Sequence, residues 1–248
     1  MPITLNKAVK LIPVLLKEDK EYICVMKLHG DVSDKKLKAV LREFQGPIYQ
    51  RPPLRSAVKR TVRIRRIYKI DMLERENRYV LLKIWCEAGT YIRKLCHDIG
   101  EVLGIGAHMY ELRRTRAGSL SEKTNMVTLQ DVVDSYVLWK EHGIEDYIRR
   151  VILPMEMAVE HIPKVVIRDS AVDAICHGAA LAVPGILHVE TGIRVNDIVA
   201  IFTLKGELVA IGKARMRSEE MVSSKRGIAV KTTQVLMPPD TYPPLWRQ

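Results

Sequence analysis

Apolar and polar positions alternate through residues 78–86, the period-two pattern of a strand with one face in a core. Just beyond it the period changes. Ile92, Leu95, Cys96, Ile99, Val102 and Leu103 recur at steps of three and four, which predicts a core-facing helix with Thr90 as its N-cap after Gly89. Upstream, residues 22–28 ("YICVMKL") read as a strand ended by "HGD". Ser33 or Asp34 then caps a helix to about residue 44. The stretch "GPIYQRPPLRSAVK" is extended, because Pro47, Pro52 and Pro53 forbid helix, and residues 61–74 form another strand. Residues 1–17 look helical but begin without a cap or a preceding strand, so the opening looks cut. Downstream, "GIGAHMYELRRTRAG" reads as a short apolar segment ringed by Gly104, Gly106 and Gly118. Thr128 caps a helix that stops at Gly143, and residues 144–158 form a further amphipathic segment.

From about residue 163 the texture turns to short strands and glycine turns. Residues 197–204 and 208–216 flank "KGE" as a hairpin, and residues 228–236 add a strand. This predicts a β domain of roughly 75 residues, a size that folds alone. The expected division is 1–160, 161–238 and a proline-rich tail, 239–248, that lies across another surface.

Composition narrows the class. At 248 residues, 47% hydrophobic and 28% charged, the chain has enough apolar content for one or two cores. No apolar run approaches the roughly 20 residues of a membrane span, and no cleavable leader is visible, so a cytoplasmic protein is expected. Cys24, Cys86, Cys96 and Cys176 are scattered, without a CxxC pair, and read as neutral thiols rather than metal ligands or disulfides. His29, His97 and His108 are not spaced to share a metal. No cofactor and no metal are expected.

Charge changes the picture most. A net charge of +11 favours a polyanionic partner, because each cation set against a phosphate releases counterions. From residue 44 to 70, Arg51, Arg55, Lys59, Arg60, Arg63, Arg65, Arg66 and Lys69 stand without one Asp or Glu, a patch rather than a salt-bridged face. Arg113, Arg114 and Arg116 make a second basic site. Arg93 is the odd placement. It falls in the first turn of the predicted helix, where the dipole opposes a cation by up to roughly 1 kcal/mol.

Four stretches in order, "KEYICVMKLHG", "QRPPLRSAVKR", "GTYIRKLCHDIG" and "GAHMYELRRTRAG", resemble the pseudouridine synthases that include bacterial tRNA pseudouridine-55 synthase and the catalytic subunits of box H/ACA ribonucleoproteins. The C-terminal part, with "HGAALAVPGI", is similar to a PUA RNA-binding domain. The wording is most like the archaeal H/ACA subunit. This resemblance implies an α+β fold, a mixed sheet with helices followed by a PUA-like β barrel. It implies isomerisation of uridine to pseudouridine, in tRNA at position 55 or guide-directed in rRNA, without metal or redox cofactor.

The resemblance also gives residues their roles. Arg93 would pair with a catalytic aspartate, Tyr22 would stack on the flipped uracil and help remove its carbon-5 proton, Tyr91 would pack under the base or order the arginine, and Leu112 would wall the base pocket. RNA contacts would come from Arg51, Arg55, Ser56, Lys59, Arg60, Arg113, Arg114 and Arg116. Expected partners are tRNA, rRNA, an H/ACA guide RNA and small proteins of the Nop10, Gar1 and L7Ae type, with no membrane. The family's aspartate lies in a "GTLDP" motif that does not occur in these 248 residues. "MPITLNKAVK" resembles the segment that follows it, so a start codon assigned too late is expected. A non-catalytic RNA-binding scaffold is the alternative.

Overall fold

In the computed structural model, which describes residues 2–52 and 59–244, the stretch beginning at Lys20 is an inner strand of a six-stranded sheet. Backbone contacts divide the chain into two units. One takes in Pro13–Met126; the other joins Thr4–Ile12 to the chain from Val127 onward.

In order, the elements as far as residue 125 are α1 (Ile12–Leu15), β1 (Lys20–Leu28), α2 (Asp34–Glu43), β2 (Gly46–Gln50), β3 (Arg63–Glu76), β4 (Tyr79–Cys86), α3 (Ile92–Leu103), β5 (Ala107–Ala117), β6 (Leu120–Ser121) and α4 (Glu122–Asn125). The strands lie in the order β2-β3-β4-β1-β5-β6, each pairing antiparallel. Alternation in β1 turns Cys24, Met26 and Leu28 inward, and they form one core with Leu37, Val40 and Leu41 of α2 and Ile92, Leu95, Cys96, Ile99 and Leu103 of α3. Each buried Val, Leu, Ile or Met side chain among them contributes about 1.5–3 kcal/mol by leaving water.

Of the two expected caps it is Ser33 that closes α2, accepting the Lys36 N–H at 3.3 Å, while Asp34 begins the helix. Gly100 lets α3 lie on β5, since a Cβ there would sit 2.0 Å from the Ala107 nitrogen. The segment read as a short apolar piece is in fact the eleven-residue strand β5.

In the second unit, a 3₁₀ turn at Asn6–Leu11 precedes α5 (Leu129–His142), α6 (Asp146–Val151), β7 (Lys164–Ile167), α7 (Asp169–Cys176), β8 (Leu181–Ala182), β9 (Ile186–Val189), β10 (Ile198–Phe202), β11 (Leu208–Ala214), α8 (Ser218–Ser223) and β12 (Ile228–Val235). Thr128 and Asp131 form a reciprocal capping box on α5, which ends at the left-handed Gly143. The sheet order is β8-β12-β11-β10-β7-β9, a nearly closed barrel, and the parallel β7–β10 pair makes this sheet the mixed one. The expected hairpin is β10–β11; α7 was not expected among the strands.

Leu11 is fully buried, and the Lys10 ammonium donates to the Val235 carbonyl at 2.7 Å, so residues 4–12 are an integral part of this unit. The expected boundary after residue 160 falls within the unit, whose first strand starts at Lys164. The described part of the tail, as far as residue 244, packs on the same core. Tyr242 is buried, and its hydroxyl donates to Glu207 at 2.5 Å. Among the described residues no helix is long and apolar enough to cross a membrane.

Candidate nucleic-acid and catalytic site

Strand register assembles the first part of the site. On β1, Tyr22 stands opposite Arg114 of β5 and Ile84 of β4, and Cys24 stands opposite Leu112 and Leu82. Directly opposed residues share a face, so Tyr22, Leu112 and Arg114 lie on the side of the sheet that α3 covers. Tyr22 is half-buried and Leu112 exposed. Burial pushes the Tyr22 hydroxyl above its ordinary pKa, with the Cys86 thiol adding to the effect and the Arg114 guanidinium opposing it.

The helix supplies the second part. The Sγ atoms of Cys96 and Cys24 are 3.6 Å apart, and Gly100, one turn on, backs onto Ala107, the partner of Leu28. Thus α3 runs in the same sense as β1. The first turn of α3, with Ile92 and Arg93, therefore lies toward the Tyr22 end of β1.

The start of α3 is held by long-range contacts rather than by its own cap. Its N-cap is Tyr91, with no side-chain cap, so the expected Thr90 cap is corrected. The Thr90 hydroxyl instead donates to the Glu87 carbonyl at 2.7 Å, closing the preceding turn, where Gly89 has φ +78. A Cβ on Gly89 would meet Arg65 Nε at 3.3 Å. Glu87 accepts the Arg66 N–H at 2.9 Å and faces Arg65 at 3.5 Å. The Gln50 side chain donates to the Tyr91 carbonyl at 3.2 Å and accepts the Tyr91 N–H at 2.9 Å. Arg93 is exposed. Glu87 is engaged elsewhere, and Arg93 has no hydrogen-bond or ion-pair partner among the described residues.

The other cations have separate surroundings. Arg113 pairs with Glu122 at 2.7 Å, Arg114 lies beside Tyr22, and the Arg116 guanidinium sits 5.3 Å from the centre of the Trp85 ring. Arg51, Lys59 and Arg60 are exposed, with Arg60 Nε donating to the Pro52 carbonyl at 3.4 Å. Arg55 and Ser56 lie outside the described residues. Sequence reasoning missed Gln50. Its only local signal was a polar residue ending an alternating strand directly before the basic strip. Among the described residues no three His, Cys, Asp or Glu side chains gather as metal ligands.

A family model described as the tRNA pseudouridylate synthase B C-terminal domain matches residues 93–160, one for the PUA domain matches residues 163–236, and one for the Pus10 C-terminal region matches residues 4–103. The chain is 60% identical over 246 residues to a probable tRNA pseudouridine synthase B of Methanopyrus kandleri, covering 99% of this chain and 72% of that protein. A protein of the same description from Thermococcus kodakarensis is 57% identical over 248 residues, covering 100% and 73%. Among solved structures, a Cbf5-Nop10-Gar1 complex superposes with a TM-score of 0.93 at 57% identity, over 98% of this chain and 74% of the other. An H/ACA RNP bound to a substrate RNA containing 2'-deoxyuridine gives a TM-score of 0.91 at 53% identity, over 98% and 74%.

Proposed function

This chain belongs to the archaeal TruB/Cbf5 family of pseudouridine synthases, and on that premise we propose that it isomerises uridine to pseudouridine in RNA. The observation that carries the reading is Arg93, a cation set against the helix dipole, exposed and without a partner among the described residues, in the turn of α3 that lies toward the Tyr22 end of β1. A guanidinium so placed can grip a carboxylate by two parallel hydrogen bonds and keep it ionised. The carboxylate is the aspartate of the family's "GTLDP" motif, which is not among these 248 residues.

In this reading the target uridine is flipped out of its stack at a cost of a few kcal/mol. Its base stacks on the Tyr22 ring, which contributes about 1–3 kcal/mol, and Leu112 walls the pocket. The C1′–N1 bond breaks with help from the aspartate as nucleophile. The base turns, C1′ bonds to C5, the C5 proton leaves and N1 gains one. The Tyr22 phenol gives its proton to N1, with Arg114 lowering the cost of the transient phenolate, and that phenolate takes the C5 proton, which restores the phenol.

Arg51, Arg55, Ser56, Lys59 and Arg60 contact the RNA backbone, and Arg113, Arg114 and Arg116 extend that contact along β5. The RNA is tRNA, or rRNA selected by an H/ACA guide RNA. Proteins of the Nop10 and Gar1 type serve as partners, in keeping with the complexes of the structural relatives, and a protein of the L7Ae type joins them. The test is to extend the chain upstream in frame to include the aspartate, then assay pseudouridine in tRNA and rRNA with and without guide RNA. Isomerisation is expected. An extended chain that binds these RNAs but leaves every uridine unchanged would make it a scaffold.

A further inference from the structure

If Arg93 holds the nucleophile, something must hold Arg93. We propose that Gln50 is a positioning residue for the isomerisation, acting through Tyr91; the proposal rests on the functional reading above. Gln50 ends β2 and is only 2% exposed. Burying a primary amide is costly unless its donor and acceptor are both paired. Gln50 uses both on one residue, Nε2 on the Tyr91 carbonyl at 3.2 Å and Oε1 on the Tyr91 N–H at 2.9 Å. A single hydrogen bond would let the peptide pivot. Two fix its direction, as a bridge between neighbouring strands does.

Tyr91 is where such a grip has most effect. It is the N-cap of α3, it has no side-chain cap, and its carbonyl also accepts the Leu95 N–H at 3.0 Å, the bond that opens the helix. Gln50 therefore holds the first turn of α3 from outside, two residues before Arg93. On its other side, Gln50 leads directly into Arg51 and the basic strip. One amide thus joins the backbone that meets RNA to the turn that carries the guanidinium. RNA bound along the strip is registered at Arg93 through this joint.

The test uses the extended chain carrying the catalytic aspartate, in single turnover at saturating substrate RNA, with RNA affinity and melting temperature measured on the same samples. Gln50→Met keeps the shape and removes both hydrogen bonds. It is expected to slow turnover about a hundred-fold, as small misplacements of reacting groups do, with RNA affinity within about two-fold of wild type. Gln50→Glu supplies the second readout. A protonated carboxyl reproduces the amide's donor and acceptor, whereas a carboxylate loses the donor. Its rate should be low at about pH 8 and return toward wild type at about pH 5.5, at temperatures far below melting, a rescue that loss of stability alone does not give.

If Gln50→Met does not fold, the pH rescue in Gln50→Glu decides. Both variants turning over like wild type, or a Gln50→Glu rate that tracks the wild-type pH profile, overturns the proposal. An inactive wild-type chain would instead count against the functional reading itself.

Discussion

The Cys24 and Cys96 thiols meet at 3.6 Å inside the first core, and this contact sets α3 against β1. Both cysteines are fully buried, and their mutual hydrogen bond, reinforced by burial, drives the Cys96 pKa far upward. They are packing atoms, not nucleophiles. Enlarging Cys96 to leucine pushes the helix off the strand, at an expected cost of about 1–3 kcal/mol. Chemical denaturation checks the cost, and turnover should fall with it because Arg93 moves relative to Tyr22. A variant with wild-type stability and rate would show that other contacts set this register.

Arg93→Ala, in a chain carrying the aspartate, should lower turnover by about a hundred- to a thousand-fold, the range for losing one preorganised charged group. Arg93→Lys should recover little, since an ammonium cannot form the two parallel bonds of a guanidinium. Quantifying pseudouridine by mass spectrometry checks both, and normal turnover in Arg93→Ala would refute the assignment.

Lys59→Ala and Arg60→Ala should weaken RNA binding, and each should reduce the slope of log affinity against log salt by about one, as loss of one phosphate contact does. Filter binding across a salt series gives the slope. An unchanged slope removes these side chains from the RNA surface.

Acid should loosen the C-terminal tail. Hydrogen bonds from Tyr242 first and Thr203 second hold the Glu207 carboxyl below its ordinary pKa. A carboxylate whose pKa is lower folded than unfolded contributes stability above the unfolded value, about 4.3, and loses it as pH falls through the folded value. The melting-temperature gap between wild type and Tyr242→Phe should therefore be full at neutral pH and close in acid. A gap that widens in acid would contradict this linkage.

Much of this arrangement could be read along the chain, because its causes are local. The Ser33 cap, the Thr128 capping box, the Gly143 stop and the β10–β11 hairpin follow from residues within a turn of one another. β5 was harder. Its apolar residues are interrupted by Glu111 and a run of arginines, and only pairing with β1 makes eleven residues one strand. Thr90 looked like a cap because its type and position suited one, but its hydroxyl had a nearer acceptor in Glu87. Arg93 declared itself by breaking a local rule. Gln50 could not, since its partner lies 41 positions away and its role exists only once β2 and α3 meet.

The bond from Lys10 to Val235 spans 225 positions. A ribosome working at roughly 5–20 residues per second therefore releases the first strip of the barrel unit on the order of ten seconds or more before its last strand exists. The nascent protein has the whole six-stranded sheet available to fold in that interval. The barrel unit is thus closed late, when Val235 is fastened to a strip made more than two hundred residues earlier.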